Sequence, residues 1–137
     1  MRKVVIDTNV LVSALLSPGG NPAKILALVL NERITVCFDS RVMMEYENVL
    51  SRPKFPFDAR DIGTLLNTLV QIGTAVLAEP LESLFADSSD RKFYEVAKSA
   101  GVCLITGNDR HYPDEDDVLS PTEFLDMVQG DFFELSE

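Results

Sequence analysis

Short apolar runs rich in β-branched residues alternate along this chain with longer runs of helical spacing, and that alternation limits the fold more than any other feature. KVVID (3–7), ITVCF (34–38) and VCLIT (102–106) read as strands, with TAVLA (74–78) and VLS (118–120) as shorter extended pieces. NVLVSALL (9–16) has apolar residues at 11, 12, 15 and 16, a helical spacing, and PAKILALVLN (22–31) opens on a proline suited to a first helical turn. SRVMMEYENVLSR (40–52) predicts a helix with Ser40 as N-cap and Pro53 as its stop, and Asp58 is placed to cap the helix that follows. DRKFYEVAKSAG (90–101) turns Phe93, Val96, Ala97 and Ala100 inward and ends on Gly101. SPTEFLDMV (120–128) carries a capping box, with Ser120 as cap, Pro121 first in the helix and Glu123 three residues on. Residues 79–89 and 107–117 read as loops, and the tail from 129 shows no clear period.

Strands alternating with helices require crossover connections, which are right-handed and produce a mostly parallel sheet covered on both faces. The expected class is α/β, a three-layer α/β/α sandwich, and 137 residues suit a single domain spanning 1–137. In such a sheet the functional crevice lies beyond the carboxyl ends of the strands. That rule selects four acids: Asp7 at the end of the first strand, Glu45 on the helix after the second, Asp90 opening the helix before VCLIT, and Asp109 after it.

A buried strand gains nothing from an aspartate at its end unless that aspartate has a partner, either a helix N-terminus or a cation. Glu45 falls on the apolar stripe marked by Val42, Met43, Tyr46, Val49 and Leu50, so it too needs a partner. Clustered carboxylates repel and raise one another's pKa unless a cation sits among them. Oxygen donors without a nearby thiolate or histidine suit Mg²⁺ or Mn²⁺. Each acid also has a plain structural use. Asp7 could face a helix N-terminus, Asp87 and Asp90 could be first-turn residues, and Asp114 to Asp117 read as a solvated loop. A net charge of −10 argues against nucleic-acid binding by electrostatics alone, but leaves open contact with phosphates through divalent cations. No run approaches the roughly 18 apolar residues of a membrane span, and Met1-Arg2-Lys3 runs into VVID without an apolar stretch ending in a small-residue cleavage site, which argues against export. A cytoplasmic protein with reduced thiols at Cys37 and Cys103 is expected, with no membrane partner.

Three blocks together resemble the PIN-domain nucleases, and most closely the branch described as toxin components of toxin–antitoxin pairs. VVIDTNVLVSAL is similar to that family's opening signature. DSRVMMEYENVLSRPKF is similar to its second block, and DSSDRKFYEVAKSAGVCLITGNDRHY to its third. The blocks fall in the family's order and span residues 3 to about 125. The resemblance implies that Asp7, Glu45 and Asp90 are the metal-binding acids, holding Mg²⁺ or Mn²⁺. Thr8, Asn9 and Asp87 would support the site and Thr106 would stand at its rim. Many PIN domains have an aspartate directly after the Thr-Gly pair, where this chain has Asn108. Either Asp109 reaches in from a shifted loop as a fourth catalytic acid, or Asn108 supplies a neutral oxygen.

The implied reaction is hydrolysis of phosphodiester bonds in single-stranded RNA by an endoribonuclease, with a cognate antitoxin protein as partner and a homodimer as a common assembly. Arg52, Lys54, Arg91, Lys92, Arg110 and His111 are the basic residues that would face the substrate. Two rivals remain. A haloacid-dehalogenase-type phosphohydrolase also opens with a strand and an Asp, but its second Asp is replaced here by Asn9. A PIN-fold module that binds RNA or protein without cutting it is the other, and Asn108 keeps it in view. The aromatics in PKFPF (53–57) and DFFEL (131–135) are expected to cover the ends of the core.

Overall fold

A computed structural model describes residues 2–81, 90–113 and 115–135, with side chains as far as residue 130. The chain runs β1 (Arg2–Ile6), α1 (Thr8–Leu16), α2 (Asn21–Leu30), β2 (Ile34–Phe38), α3 (Ser40–Leu50), α4 (Ala59–Ile72) and β3 (Thr74–Ala75). It continues with α5 (Arg91–Ala100), β4 (Cys103–Ile105), β5 (Val118–Leu119) and α6 (Pro121–Leu135). All the strand pairs are parallel, in the order β3-β2-β1-β4-β5. Successive residues of a strand point to opposite faces, and Val4, Val5 and Ile6 of the central strand are all at most 2% exposed. Both faces of β1 are therefore covered, and the architecture is the three-layer α/β/α sandwich that the alternation predicts.

Local chemistry explains most element ends. Asp58 accepts from the backbone N–H groups of Arg60 and Asp61 and starts α4. Ser120 and Glu123 exchange bonds, Ser120 N to Glu123 Oε1 at 2.9 Å and Glu123 N to Ser120 Oγ at 3.1 Å, which closes the capping box of α6. Gly101 terminates α5 in the left-handed region at φ 68°, where a Cβ is unfavourable.

One expectation needs correction. The cap of α3 is Asp39 rather than Ser40: Asp39 is extended and its Oδ1 accepts from Val42 N at 3.0 Å, while Ser40 is already helical. The charged acceptor at the positive end of the helix explains the preference. Of the short extended piece TAVLA, Thr74–Ala75 pairs in the sheet as β3, Val76 N still donates to the Phe38 carbonyl at 2.8 Å, and Leu77 is 96% exposed. The tail, without a clear period in the sequence, is helical to Leu135, so DFFEL belongs to α6, and the expectation that its aromatics cover the core falls on side chains outside the described residues. In PKFPF, Phe55 and Phe57 stack at 5.3 Å, and Phe57 packs on the core edge as expected. Cys37 and Cys103 are free thiols, and no described helix is long and apolar enough to cross a membrane.

Candidate functional site

From β1 the chain moves outward to β2 and β3, then returns across the sheet to place β4 on the other side of β1. The carboxyl ends of β1 and β4 thus flank the point where the strand order reverses, the place where open α/β sheets bind ligands. Asp7 follows β1 and Thr106 follows β4, both at most 4% exposed. Asp7 N donates to the Ile105 carbonyl at 2.9 Å, which carries the ladder one residue past the strand.

The Asp7 carboxylate is held on one oxygen. Its Oδ2 accepts from Thr106 Oγ1 at 2.8 Å, from the Tyr112 hydroxyl at 3.0 Å and, more weakly, from Asn9 Nδ2 at 3.4 Å. Oδ1 accepts no hydrogen bond from the described residues. The loops that carry these donors are tied to one another, Gly107 N donating to Asn9 Oδ1 and Asn108 N to Thr106 Oγ1, each at 3.0 Å.

Helix α3 brings Glu45 to the same region. Its neighbour Tyr46, fully buried, donates to the Ile6 carbonyl and so fastens α3 to the end of β1. Thr8 Oγ1 donates to Glu45 Oε2 at 2.5 Å, and Lys92 Nζ pairs with Oε1 at 2.8 Å. Asp90, directly before α5, has Oδ2 at 3.1 Å from His111 Nδ1. Below this layer α5 is pinned to α3: Arg41 bridges Asp39 and the buried Glu95, whose other oxygen accepts from Leu81 N.

The three acids share one electrostatic field. The Asp7 carboxyl is held above its ordinary value, chiefly by burial. The hydrogen bonds from Thr106 and Tyr112 oppose that rise, and the negative charges of Asp90 and Glu45 add to it. The same burial, with the charge of Asp7 second, raises the phenols of Tyr46 and Tyr112, which keeps both as hydrogen-bond donors.

Other residues marked in the sequence fall elsewhere. Asp109 is exposed at the start of a single 3₁₀ turn (Asp109–His111) and makes no described side-chain contact with the three acids. Asn108 and Arg110 are exposed on the same loop, and Arg91 is half-buried at the start of α5. Arg52 and Lys54 lie beyond the end of α3, both exposed. Asp87 and Asp114 lie outside the described residues. Lys92 turns to Glu45, and Tyr112 to Asp7. Tyr112 closes the third block and stands as an aromatic in the polar GNDRHYPDEDD, but neither feature assigns it a partner.

Residues 3–110 match the PIN domain family. The uncharacterized protein MJ1680 of Methanocaldococcus jannaschii is 33% identical over 109 residues, covering 77% of this chain and 70% of that one. Two crystal structures share the fold at a TM-score of 0.59. VapBC2 from Rickettsia felis, bound to a DNA fragment from their promoter, is 15% identical, and the match covers 86% of this chain and 97% of that one. PAE2754 from Pyrobaculum aerophilum is 14% identical, with 95% and 90% covered. With the match to the family spanning the first two blocks, the third as far as Arg110, and the strand ends they build, the chain belongs to the PIN-domain family, whose members are generally nucleases.

Proposed function

We propose that the protein is a metal-dependent endoribonuclease that hydrolyses phosphodiester bonds of single-stranded RNA in the cytoplasm, acting as the toxin of a toxin–antitoxin pair. The observation that carries this reading is the buried Asp7 carboxylate at the end of β1, with Glu45 of α3 held by the adjacent Thr8 and Asp90, before α5, close enough for its charge to act on Asp7. Carboxylates gathered in this way call for positive charge.

The donor chemistry fits a hard divalent ion, Mg²⁺ or Mn²⁺, with Asp7, Glu45 and Asp90 as the residues that would hold it. Among the described residues no three His, Cys, Asp or Glu side chains form a ready-made metal-binding group. Glu45 is engaged by Lys92 and Asp90 by His111, contacts that both acids would give up to hold an ion. When bound, the ion supplies the charge that acidifies an attacking water and steadies the leaving oxygen. The chain's own residues prepare the site. Thr8 orients Glu45, while Asn9, Thr106 and Tyr112 orient Asp7. His111, half-exposed beside Asp90, and the exposed Arg110 are placed on the same loop to meet a phosphate. A net charge of −10 means that RNA is held at the site itself and not by general attraction.

The toxin role rests on the family match and on the fold shared with VapBC2. An apolar groove lined by Leu15, Leu26, Leu30, Phe57, Ile62 and Leu65 offers a protein partner such as an antitoxin a surface to fill. Incubating short single-stranded RNAs with the purified protein tests the reading. Cleavage is expected with Mn²⁺ and not with a chelator, and Asp7→Asn is expected to abolish it. RNA bound but left intact under all conditions would make the chain a PIN-fold binding module instead.

A further inference from the structure

Asp7 has two strong hydrogen bonds on the same oxygen. A carboxylate oxygen offers about two acceptor directions, and on Oδ2 these are taken by Thr106 at 2.8 Å and Tyr112 at 3.0 Å. Both donors are buried, Thr106 at 0% and Tyr112 at 6% exposure, so water does not compete for them. Thr106 is fixed by β4, and its oxygen also accepts from Asn108 N. Tyr112 is fixed by the turn that follows, its own N–H donating to the Asp109 carbonyl at 3.1 Å. The two donors come from opposite ends of one loop and converge on one atom.

We propose that Tyr112 is a positioning residue for cation binding: with Thr106 it occupies Oδ2 of Asp7 and commits Oδ1, which accepts no hydrogen bond from the described residues, to the ion. The phenol bonds Asp7 and would act through it, not as a ligand itself. Groups that orient a metal ligand from behind typically contribute 10- to 100-fold in metal affinity. The inference rests on the metal-dependent reading above, and it adds a role to a residue that neither the spacing nor the family blocks single out.

The test is calorimetric titration of Mn²⁺ into the purified metal-free protein. Tyr112→Phe removes one oxygen and keeps the ring in the core, and is expected to weaken Mn²⁺ binding about 10-fold. Thr106→Val is expected to weaken it similarly, while Thr106→Ser, which keeps the hydroxyl, stays near wild type. Tyr94→Phe serves as the control for a general loss of a tyrosine–carboxylate bond, because Tyr94 donates to Glu115 away from the three acids. That variant is expected to keep the wild-type Mn²⁺ affinity. If Tyr112→Phe lowers only the melting temperature of the metal-free protein and binds Mn²⁺ within about twofold of wild type, its role is structural and the proposal falls. If the wild type itself takes up no Mn²⁺, the metal-dependent reading falls and this inference with it.

Discussion

Glu95 and Glu45 are both acids on inward helix faces, and the contrast between them shows what burial demands of a charge. Glu45 keeps 23% of its side chain exposed and faces the cluster at the strand ends. Glu95 is 2% exposed and is satisfied entirely by protein, with Arg41 on one oxygen and Leu81 N on the other. Apolar spacing on α3 drew attention to Glu45. The spacing of α5 marks Phe93, Val96 and Ala97 and gives no reason to look at Glu95, because its burial depends on α3 supplying Arg41 from 54 residues away. Glutamine at this position keeps one acceptor and turns an N–H₂ towards a donor. Glu95→Gln is expected to destabilise the protein by about 1.5–3 kcal/mol, read as a lower denaturation midpoint at unchanged slope. A change below about 0.5 kcal/mol, the size of an ordinary surface substitution, would show that the bridge contributes nothing.

Among the elements, those whose ends carry their own chemistry were legible. Asp58, Gly101 and the Ser120–Glu123 box each act within four residues, so the sequence contains the whole interaction. Ser40 and Asp39 are both good caps by residue type, and what separates them is that Asp39 is the extended residue and brings the charged acceptor to Val42 N. TAVLA shortened to Thr74–Ala75 because β3 is an edge strand that pairs only with the end of β2, at Cys37 and Phe38. Two glycines on or beside α4 look alike in sequence and differ in place. A Cβ on Gly73 would stand 2.6 Å from the Leu69 carbonyl, 2.7 Å from the Val36 carbonyl and 2.8 Å from the Phe38 ring, so backbone must move. A Cβ on Gly63, in the exposed middle of the helix, meets nothing within 4 Å. Gly73→Ala is expected to cost about 1–3 kcal/mol through overpacking. Gly63→Ala is expected to gain about 0.5–1 kcal/mol from helix propensity. Thermal unfolding of both variants checks the pair, and shifts of the same sign would contradict the packing described here.

For the molecule as a whole, the alternation of strands and helices was enough to reach a parallel sheet, and the rule for strand carboxyl ends selected four acids, of which Glu45 and Asp90 lie near enough to Asp7 to act on its charge while Asp109 faces outward. What the sequence could not show is which side chains close around those acids. Lys92 meets Glu45 across 47 residues and Tyr112 meets Asp7 across 105, contacts that exist only once the chain has crossed back from β3 to β4. Asp109, next to the position where the family pattern places an acid, is turned out on its 3₁₀ turn, while its neighbour Asn108 contributes a backbone N–H. The central claim is that Asp7 and its two acidic neighbours form a site for a divalent cation. Thermal unfolding of the wild type and of Asp7→Asn with and without Mn²⁺ tests it most directly. The account predicts that Mn²⁺ at 100 times its dissociation constant stabilises the wild type by about 2.7 kcal/mol and leaves the folded Asp7→Asn variant unmoved. An equal shift in both proteins, or none in the wild type, would contradict it.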